Sequence, residues 1–300
     1  MKTLNIIGCG KVGKTLGRLW VKAGIFDIGD ILNRSVDSAG EAALFIGAGR
    51  AVPRVEEMRP ADVFFIGTPD IQIRKSCEAL AASDVAQNRC IVFHCSGALP
   101  SADLKSAKMS SAFTASVHPV KSFTDPILSV NTIDGTYFGL EGDKQALDVL
   151  IPAIEAVGGK PFSIDPEQKT LYHSATVITC NYLTALLEIG IQTFIKAGLN
   201  REIAIQVMQP IVRETVENIF QYGPVKALTG PIARGDSTIV EQQIDALSQW
   251  QSRYGDLYRI LGHVALELSR QKGTISTESV TALRKILEHP NTICDKYRDL

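Results

Sequence analysis

Two histidines, a serine and an asparagine are the residues best suited to proton chemistry in this chain. His118 stands in SVHPVKSF and His173 in YHSATVITCNYLTAL. An imidazole titrates near neutral pH, so each can exchange a proton with a carbonyl or hydroxyl oxygen. Ser96, in HCSGAL, offers a hydroxyl to the same oxygen or to the amide of a bound ligand. His173, Thr176, Cys180, Asn181 and Thr184 share one helical pattern. His173, Cys180 and Thr184 fall on one stripe, and Asn181 lies about a quarter-turn aside. Leu171, Val177, Ile178, Leu183, Leu186 and Leu187 surround them, which predicts a helix buried on both sides. The bland alternatives are a strand-end histidine beside Pro119, a satisfied core histidine at 173, and a serine that only forms the turn with Gly97.

These groups need an electron carrier, and the start of the chain offers a place for one. Gly8-Cys9-Gly10-Lys11-Val12-Gly13 follows an apolar run and opens a helical pattern that stops at Gly24. In a dinucleotide fold the first glycine allows the turn. The second admits a pyrophosphate to the backbone, and the third lets helix pack on strand. The helix N-terminus adds free N–H groups and the positive dipole end. A second strand, Asp30 to Asn33, runs into Asn33-Arg34-Ser35. NAD-binding folds put an acid there, about 20 residues past the glycines, for the ribose 2′-hydroxyl. Arg34 instead suits a 2′-phosphate, with Asn33 and Ser35 as extra donors, so NADP is expected over NAD. Thr68, Pro69 and Asp70 follow the fourth strand and are expected beside the cofactor, unless Asp70 only caps a helix. In the later segment TGPIARGD, Arg234 can clamp a substrate carboxylate or phosphate beside Asp236, or simply pair with that aspartate.

The elements that must position these residues alternate. Strands are predicted at 3–7, 30–33, 51–52, 62–67, 90–93, 112–117, 137–140 and 161–164, with helices between most of them. Ser96 and His118 should therefore leave the sheet at the same carboxyl edge as the glycine loop. This is an α/β protein: an N-terminal Rossmann domain, residues 1–164, with a doubly wound parallel sheet. At Ile164 the pattern turns purely helical. Asp165-Pro166-Glu167-Gln168 reads as a capping box, Asn200 opens a helix to about Tyr222, Thr238 with Glu241 caps another, and Thr277 starts the last. Residues 165–300 form an all-helical domain for substrate binding and dimerisation, because its apolar faces exceed what a sheet edge can cover.

A net charge of −1 gives no electrostatic case for nucleic acid or an anionic membrane. No apolar run reaches spanning length, and Met1-Lys2 leads straight into a strand, so neither a membrane segment nor a signal peptide is expected. Cys9, Cys77, Cys90, Cys95, Cys180 and Cys294 have no metal-ligand spacing and mostly lie in apolar runs. They fit reduced core thiols in a cytoplasmic protein without a bound metal.

Taken together, HCSGAL, SVHPVKSF, YHSATVITCNYLTAL and LTGPIARGD resemble a Rossmann-like family with a C-terminal helical domain of unknown function. That family falls in the 6-phosphogluconate-dehydrogenase-like superfamily. The Ser96 and His118-Pro119 arrangement is similar to prephenate dehydrogenases, where the matching serine and histidine are catalytic. NYLTAL resembles ketopantoate reductase, whose catalytic lysine corresponds to His173 and whose two asparagines correspond to Val177 and Asn181. The resemblance implies an NADP-dependent oxidoreductase acting on a small, anionic hydroxy or oxo substrate, or on an imine as in pyrroline-5-carboxylate reductases. His118 is then the main acid/base, and His173 orients the substrate. The alternative is a cofactor-binding sensor or scaffold without turnover, which has no need of two titratable groups.

Overall fold

The structure is a computed structural model in which residues 1–86 and 89–288 are described. Cys294 lies outside the described residues. Eight strands form one sheet: β1 (Lys2–Ile7), β2 (Phe26–Leu32), β3 (Arg50–Val52), β4 (Val63–Ile66), β5 (Ile91–His94), β6 (Phe113–Pro119), β7 (Tyr137–Gly142) and β8 (Lys160–Ser163). Their order is β3-β2-β1-β4-β5-β6-β7-β8. Unbroken apolar runs such as VFFI in β4 suit a sheet covered on both faces, and every residue of β4 and β5 is buried.

The helices of this part are α1 (Lys11–Lys22), α2 (Val36–Ile46), α3 (Asp70–Ala82), α4 (Lys105–Met109), α5 (Pro126–Asn131) and α6 (Lys144–Glu155). Trp20 ties the first of them to the last. It is fully buried, donates its indole N–H to Ala153 O at 2.8 Å and meets Phe26 and Phe93 edge-on.

All strand pairs are parallel except β6 with β7, which run antiparallel. This departs from the wholly parallel sheet expected from the alternation. Residues 120–136, which include α5, join the two strands, and β7 enters antiparallel with Phe138 opposite Pro119. β6 also runs on to Pro119, so His118 lies inside the strand instead of just past it.

After β8, Asp165 accepts from the Glu167 N–H at 2.9 Å and starts a single 3₁₀ turn. Then follow α7 (Lys169–Thr176), a π-helical stretch (Val177–Tyr182), α8 (Leu183–Lys196), α9 (Arg201–Tyr222), α10 (Pro224–Ala227), α11 (Pro231–Arg234), α12 (Ser237–Trp250), α13 (Ser252–Lys272) and α14 (Thr277–Leu287). Asn200 caps α9 as expected, accepting from the Ile203 N–H at 2.9 Å. Thr238 caps nothing: α12 already begins at Ser237, and the pattern read as one helix breaks again at Gln251. The chain divides into two compact units, Met1–Asn181 and one from Tyr182 onward. The strand pattern stops at 164, yet the first turns of the following helix pack with the sheet.

The stretch Pro166–Lys196 is long and apolar enough to cross a membrane by length and composition alone, which the broken apolar runs of the sequence did not suggest. The burial expected for it is not found. Only 6% of that apolar window is buried, with Leu171, Ile178, Leu183 and Leu186 exposed and Cys180 exposed rather than in the core. The π-helical residues also break the straight stripe drawn through His173, Cys180 and Thr184. A π turn closes i→i+5, so each residue after it is rotated relative to an α-helical path.

Asp30, buried in β2, anchors the sheet's outer edge. It accepts from Arg50 Nε at 2.9 Å and from Arg59 Nη2 at 2.7 Å and backbone N at 2.6 Å. Burial works to raise its pKa, but the hydrogen bonds from Arg50 and Arg59 prevail and lower it to about 2. Its stabilisation is therefore present above the unfolded value of about 3.9 and is lost as pH falls through the folded value. Asp30→Asn should cost about 2 kcal/mol at pH 7 in urea unfolding. The gap from wild type should shrink between pH 4 and pH 2.

Candidate active site

The glycine loop is built by contact between two strand ends. Gly8 has φ +85°, and a Cβ there would lie 2.5 Å from the Thr68 amide nitrogen, so β1 and β4 converge only because residue 8 has no side chain. A Cβ at Gly10 would meet nothing within 4 Å, which leaves the backbone open to a ligand. Gly13 faces Cys9 and Ile6, where a Cβ would sit 3.1 and 3.6 Å away, so it serves helix–strand packing. The α1 N-terminus has no side-chain cap and no acid in its first turn, leaving its N–H groups and dipole available to an anion. Burial of Cys9 pushes its thiol up to about 12, so no thiolate opposes that anion.

Gly8, Cys9, Gly10, Asn33, Arg34, Ser35, Thr68 and Pro69 line one cavity of about 750 Å³. Lys11, Val12 and Gly13 form the first turn of α1 and are not among its lining residues. Asn33 has a different task from the one expected. Its Oδ1 accepts from the Cys9 N–H at 2.6 Å, and its Nδ2 donates to Ser38 O and Oγ, both at 3.0 Å. That amide locks the glycine loop, so it is committed before any phosphate arrives. Ser35 caps α2, accepting from the Ser38 N–H at 3.3 Å. Arg34 is exposed on the rim and makes no ion pair among the described residues.

The second group of residues lies on β5, β6, β7 and α7. His94 pairs in register with Ser116, so His118, two residues further along β6, projects beyond the end of β5. Ser116 and His118 share one face of the strand by the period of two. Lys169, Tyr172 and His173 share one face of α7, at spacings of three and four. The two patterns interlock. Lys169 Nζ meets Ser116 Oγ, and the Tyr172 hydroxyl lies 2.8 Å from His118 Nδ1. His173 follows with its ring 5.7 Å from that of His118, at 81°. A Cβ on Gly97 would collide with His173 Nδ1 and lie 2.7 Å from His118 Nε2, so both rings close on a backbone that only glycine provides.

Lys169 is the residue that sequence reasoning passed over. It is 1% exposed, with Glu141 Oε1 at 3.3 Å. Glu141 faces Ser116 across β6 and β7 and also accepts from Ser101 N and Oγ, both at 2.6 Å. The family comparison placed a lysine at 173. Here the lysine stands one turn earlier, and its available signal was the position: the first helical turn after the last strand. Burial lowers the pKa of Lys169 against the opposing pull of Glu141. Burial, then the neighbouring charges of His173 and Lys169, lower that of His118 to about 4, with Asp70 pulling the other way. His118 is therefore neutral at pH 7.

Ser96 and Asp70 are brought together, in roles other than those expected. The Ser96 hydroxyl donates to Asp70 Oδ2 at 2.8 Å and accepts from the Ala98 and Leu99 N–H groups at 3.2 and 3.0 Å. Its one proton is thus committed, and the hydroxyl shapes the turn. Asp70 makes no helix cap, since Pro69 holds that position. His94, fully buried, accepts from the Ser96 N–H at Nδ1 and lies 3.2 Å from Pro100 O at Nε2, and burial lowers its pKa to about 4. Asn181 is exposed on the π-helical stretch, about two turns beyond His173. In the helical unit Arg234 Nε meets Asp236 Oδ2 at 3.0 Å, so these two pair with each other. No group of three or more metal-ligating side chains occurs among the described residues.

Residues 136–265 match a family described as a domain of unknown function (DUF2520). No curated protein matches the chain by sequence. Protein TM1727 from Thermotoga maritima is 28% identical, with a TM-score of 0.71 over 90% of this chain and 99% of its own. A candidate NADP oxidoreductase, BF3122 from Bacteroides fragilis, is 20% identical, with a TM-score of 0.72 over 89% and 98%. Prephenate dehydrogenase from A. aeolicus, solved with hydroxyphenyl propionate and NAD+, is 16% identical, with a TM-score of 0.55 over 91% and 98%. The C-terminal region is thus similar to a DUF2520 domain, and the chain shares its fold with these solved structures.

The convergence on Gly97 can be tested directly. Gly97→Ala should displace both imidazoles and cost about 1–3 kcal/mol, as overpacking does. The expected outcome is a shift of the His118 and His173 ring resonances with an unchanged far-UV circular dichroism spectrum.

Proposed function

We propose that this protein is an NADP-dependent oxidoreductase acting on a small, anionic hydroxy or oxo substrate, with histidine handling the proton. One observation carries the reading. A glycine loop with an uncapped helix N-terminus opens on a cavity rimmed by Arg34, and two adjoining histidines occupy the carboxyl edge of the same sheet. The fit to a dinucleotide is physical: the loop approaches a ligand without Cβ obstruction at Gly10, and nothing acidic opposes a diphosphate in the first turn of α1.

The uncapped N–H groups of Lys11, Val12 and Gly13 at the start of α1 would hold the diphosphate, and Thr68 and Pro69 wall the adjoining cavity. Arg34 decides between cofactors. A guanidinium grips a phosphate with two parallel hydrogen bonds, whereas a ribose hydroxyl gives it nothing comparable. Both NADP and NAD+ occur in the names of the similar structures, so the preference rests on this side chain. When bound, the nicotinamide exchanges hydride with the substrate. His118 and His173 hold the reacting oxygen, and Lys169 and Glu141 fix the helix turn that presents Tyr172 and His173.

The helical unit is proposed to pair with a second copy. Leu183, Leu186 and Ile195 on α8, Ile203, Ile205 and Val207 on α9, and Ile260, Leu261 and Val264 on α13 are all exposed. Isolated exposed apolar residues are ordinary, but a succession along three helices marks an interface. Glu188, which is ion-paired to Arg201, lies on α8 and suits a protein contact better than lipid.

Two measurements test these readings. NADPH should bind wild type about tenfold or more tightly than NADH, and Arg34→Ala should erase the difference, in line with losing a charge-assisted contact worth about 1.5–3 kcal/mol. Equal affinities in wild type would reject NADP preference, and binding of neither would reject the oxidoreductase reading. Sedimentation at micromolar concentration should show a species of twice 32.5 kDa, and a lone 32.5 kDa species would reject the dimer.

A further inference from the structure

His118 as it stands has no proton to spare. Burial keeps its ring neutral at pH 7, so the ring carries one proton, and giving that proton away alone would leave an imidazolate. Reduction of a carbonyl leaves an oxyanion that must be protonated as it forms. A second proton source must stand behind the imidazole, and one does.

We propose that Tyr172 is the positioning residue and proton source for His118: its hydroxyl donates to Nδ1, which confines the ring's own proton to Nε2, the nitrogen that faces Gly97 and His173. Three observations hold the hydroxyl in place. Gly139 is the cross-strand partner of His118, and a Cβ there would collide with Ile164 Cδ1 and approach the Tyr172 hydroxyl to 3.1 Å, so Ile164 and the phenol together fill the space left by a missing side chain. The tyrosine ring stands edge-on to both Phe162, at 6.1 Å, and His118, at 5.6 Å. One turn earlier, Lys169 pins the helix to Ser116 and Glu141.

The proposed direction of the hydrogen bond rests on the phenol's proton. Burial raises the Tyr172 pKa to about 12, so the phenol keeps its proton at neutral pH. Among the described residues it has no hydrogen-bond partner other than His118. We take the phenol as donor and Nδ1 as acceptor, because this pairing uses the phenol proton within the protein; the reverse direction would place the ring proton on Nδ1. The charged and titratable groups around His118 are Tyr172, His173, Lys169 and Asp70, and both His173 and Lys169 disfavour a second proton on the ring.

The transfer then balances. The substrate oxyanion takes the Nε2 proton while Nδ1 takes the proton of Tyr172, so one N–H and one O–H break as one O–H and one N–H form. The imidazole stays neutral throughout. Tyr172 becomes a phenolate and regains its proton from water, which reaches it because the side chain is only half-buried. In the oxidative direction the same atoms run in reverse. No oxidant or reductant beyond the hydride exchange is required.

The purpose of the relay rests on the oxidoreductase reading, but the tautomer does not, so the test uses the protein without cofactor. Two-bond proton–nitrogen spectra of ¹⁵N-histidine-labelled protein at pH 7 report which ring nitrogen carries the proton, and His118→Gln assigns the signals. Wild type should show His118 protonated at Nε2 and bare at Nδ1. Tyr172→Phe should give a mixture of tautomers. It should also let His118 titrate about half to one pH unit higher, because a donor to the neutral ring is lost. The buried His94 should be unchanged and serves as a monitor of the fold. Should Tyr172→Phe fail to fold, Tyr172→Met, which also removes the hydroxyl, should produce the same mixture. A wild-type His118 protonated at Nδ1, or a tautomer unaffected by loss of the hydroxyl, overturns the proposal. Failure to bind NADPH would reject the oxidoreductase reading and leave the tautomer standing.

Discussion

The buried ammonium of Lys169 is the constraint around which this site is arranged. Burying a charge costs several kcal/mol even after relaxation, and only close, well-aligned partners offset it. Glu141 and Ser116 supply them, and Ser101 satisfies the remaining oxygen of the glutamate. Sliding α7 by one residue would tear the ammonium from its carboxylate, so the contact sets the register of helix against strand. Once that register is set, the residues three and four positions on have nowhere else to go. Tyr172 must fall beside His118, and His173 beside Gly97.

The antiparallel turn of the sheet at β7 is part of the same device. It brings Glu141 opposite Ser116 and Gly139 opposite His118. One pair holds the ammonium, and the other opens space for the tyrosine hydroxyl. A parallel strand in that position would present a different register, and the carboxylate would not meet Lys169. The local topology and the local chemistry are therefore one arrangement.

Burial holds His118 and His94 neutral, and the charge of Lys169 adds to that effect. A neutral imidazole hydrogen-bonds without carrying charge, but it needs a neighbour when it must deliver a proton. The same economy marks the glycine loop. Asn33 is used up in holding the loop and Ser96 in shaping the turn after β5, whereas Arg34 on the rim makes no ion pair among the described residues.

The sequence by itself determined the strand–helix alternation, the glycine loop, the helix starts at Asn200 and Thr277 and the presence of a second, helical part. Each of these rests on local signals: an apolar run, a glycine at a positive-φ turn, a side chain that caps a neighbouring N–H. His118, His173 and Arg34 were legible as candidates because their chemistry belongs to the residue type. Tertiary structure decided the rest, because it depends on contacts between distant residues. Lys169 looked like an ordinary helix-start lysine until Glu141, from another strand, came within 3.3 Å. Ser96 looked like a ligand for substrate until Asp70 claimed its proton. The pairing of Tyr172 with His118 spans 54 positions in the chain and leaves no trace in either neighbourhood. Periodicity says which face a side chain occupies; only the packed sheet says what that face meets.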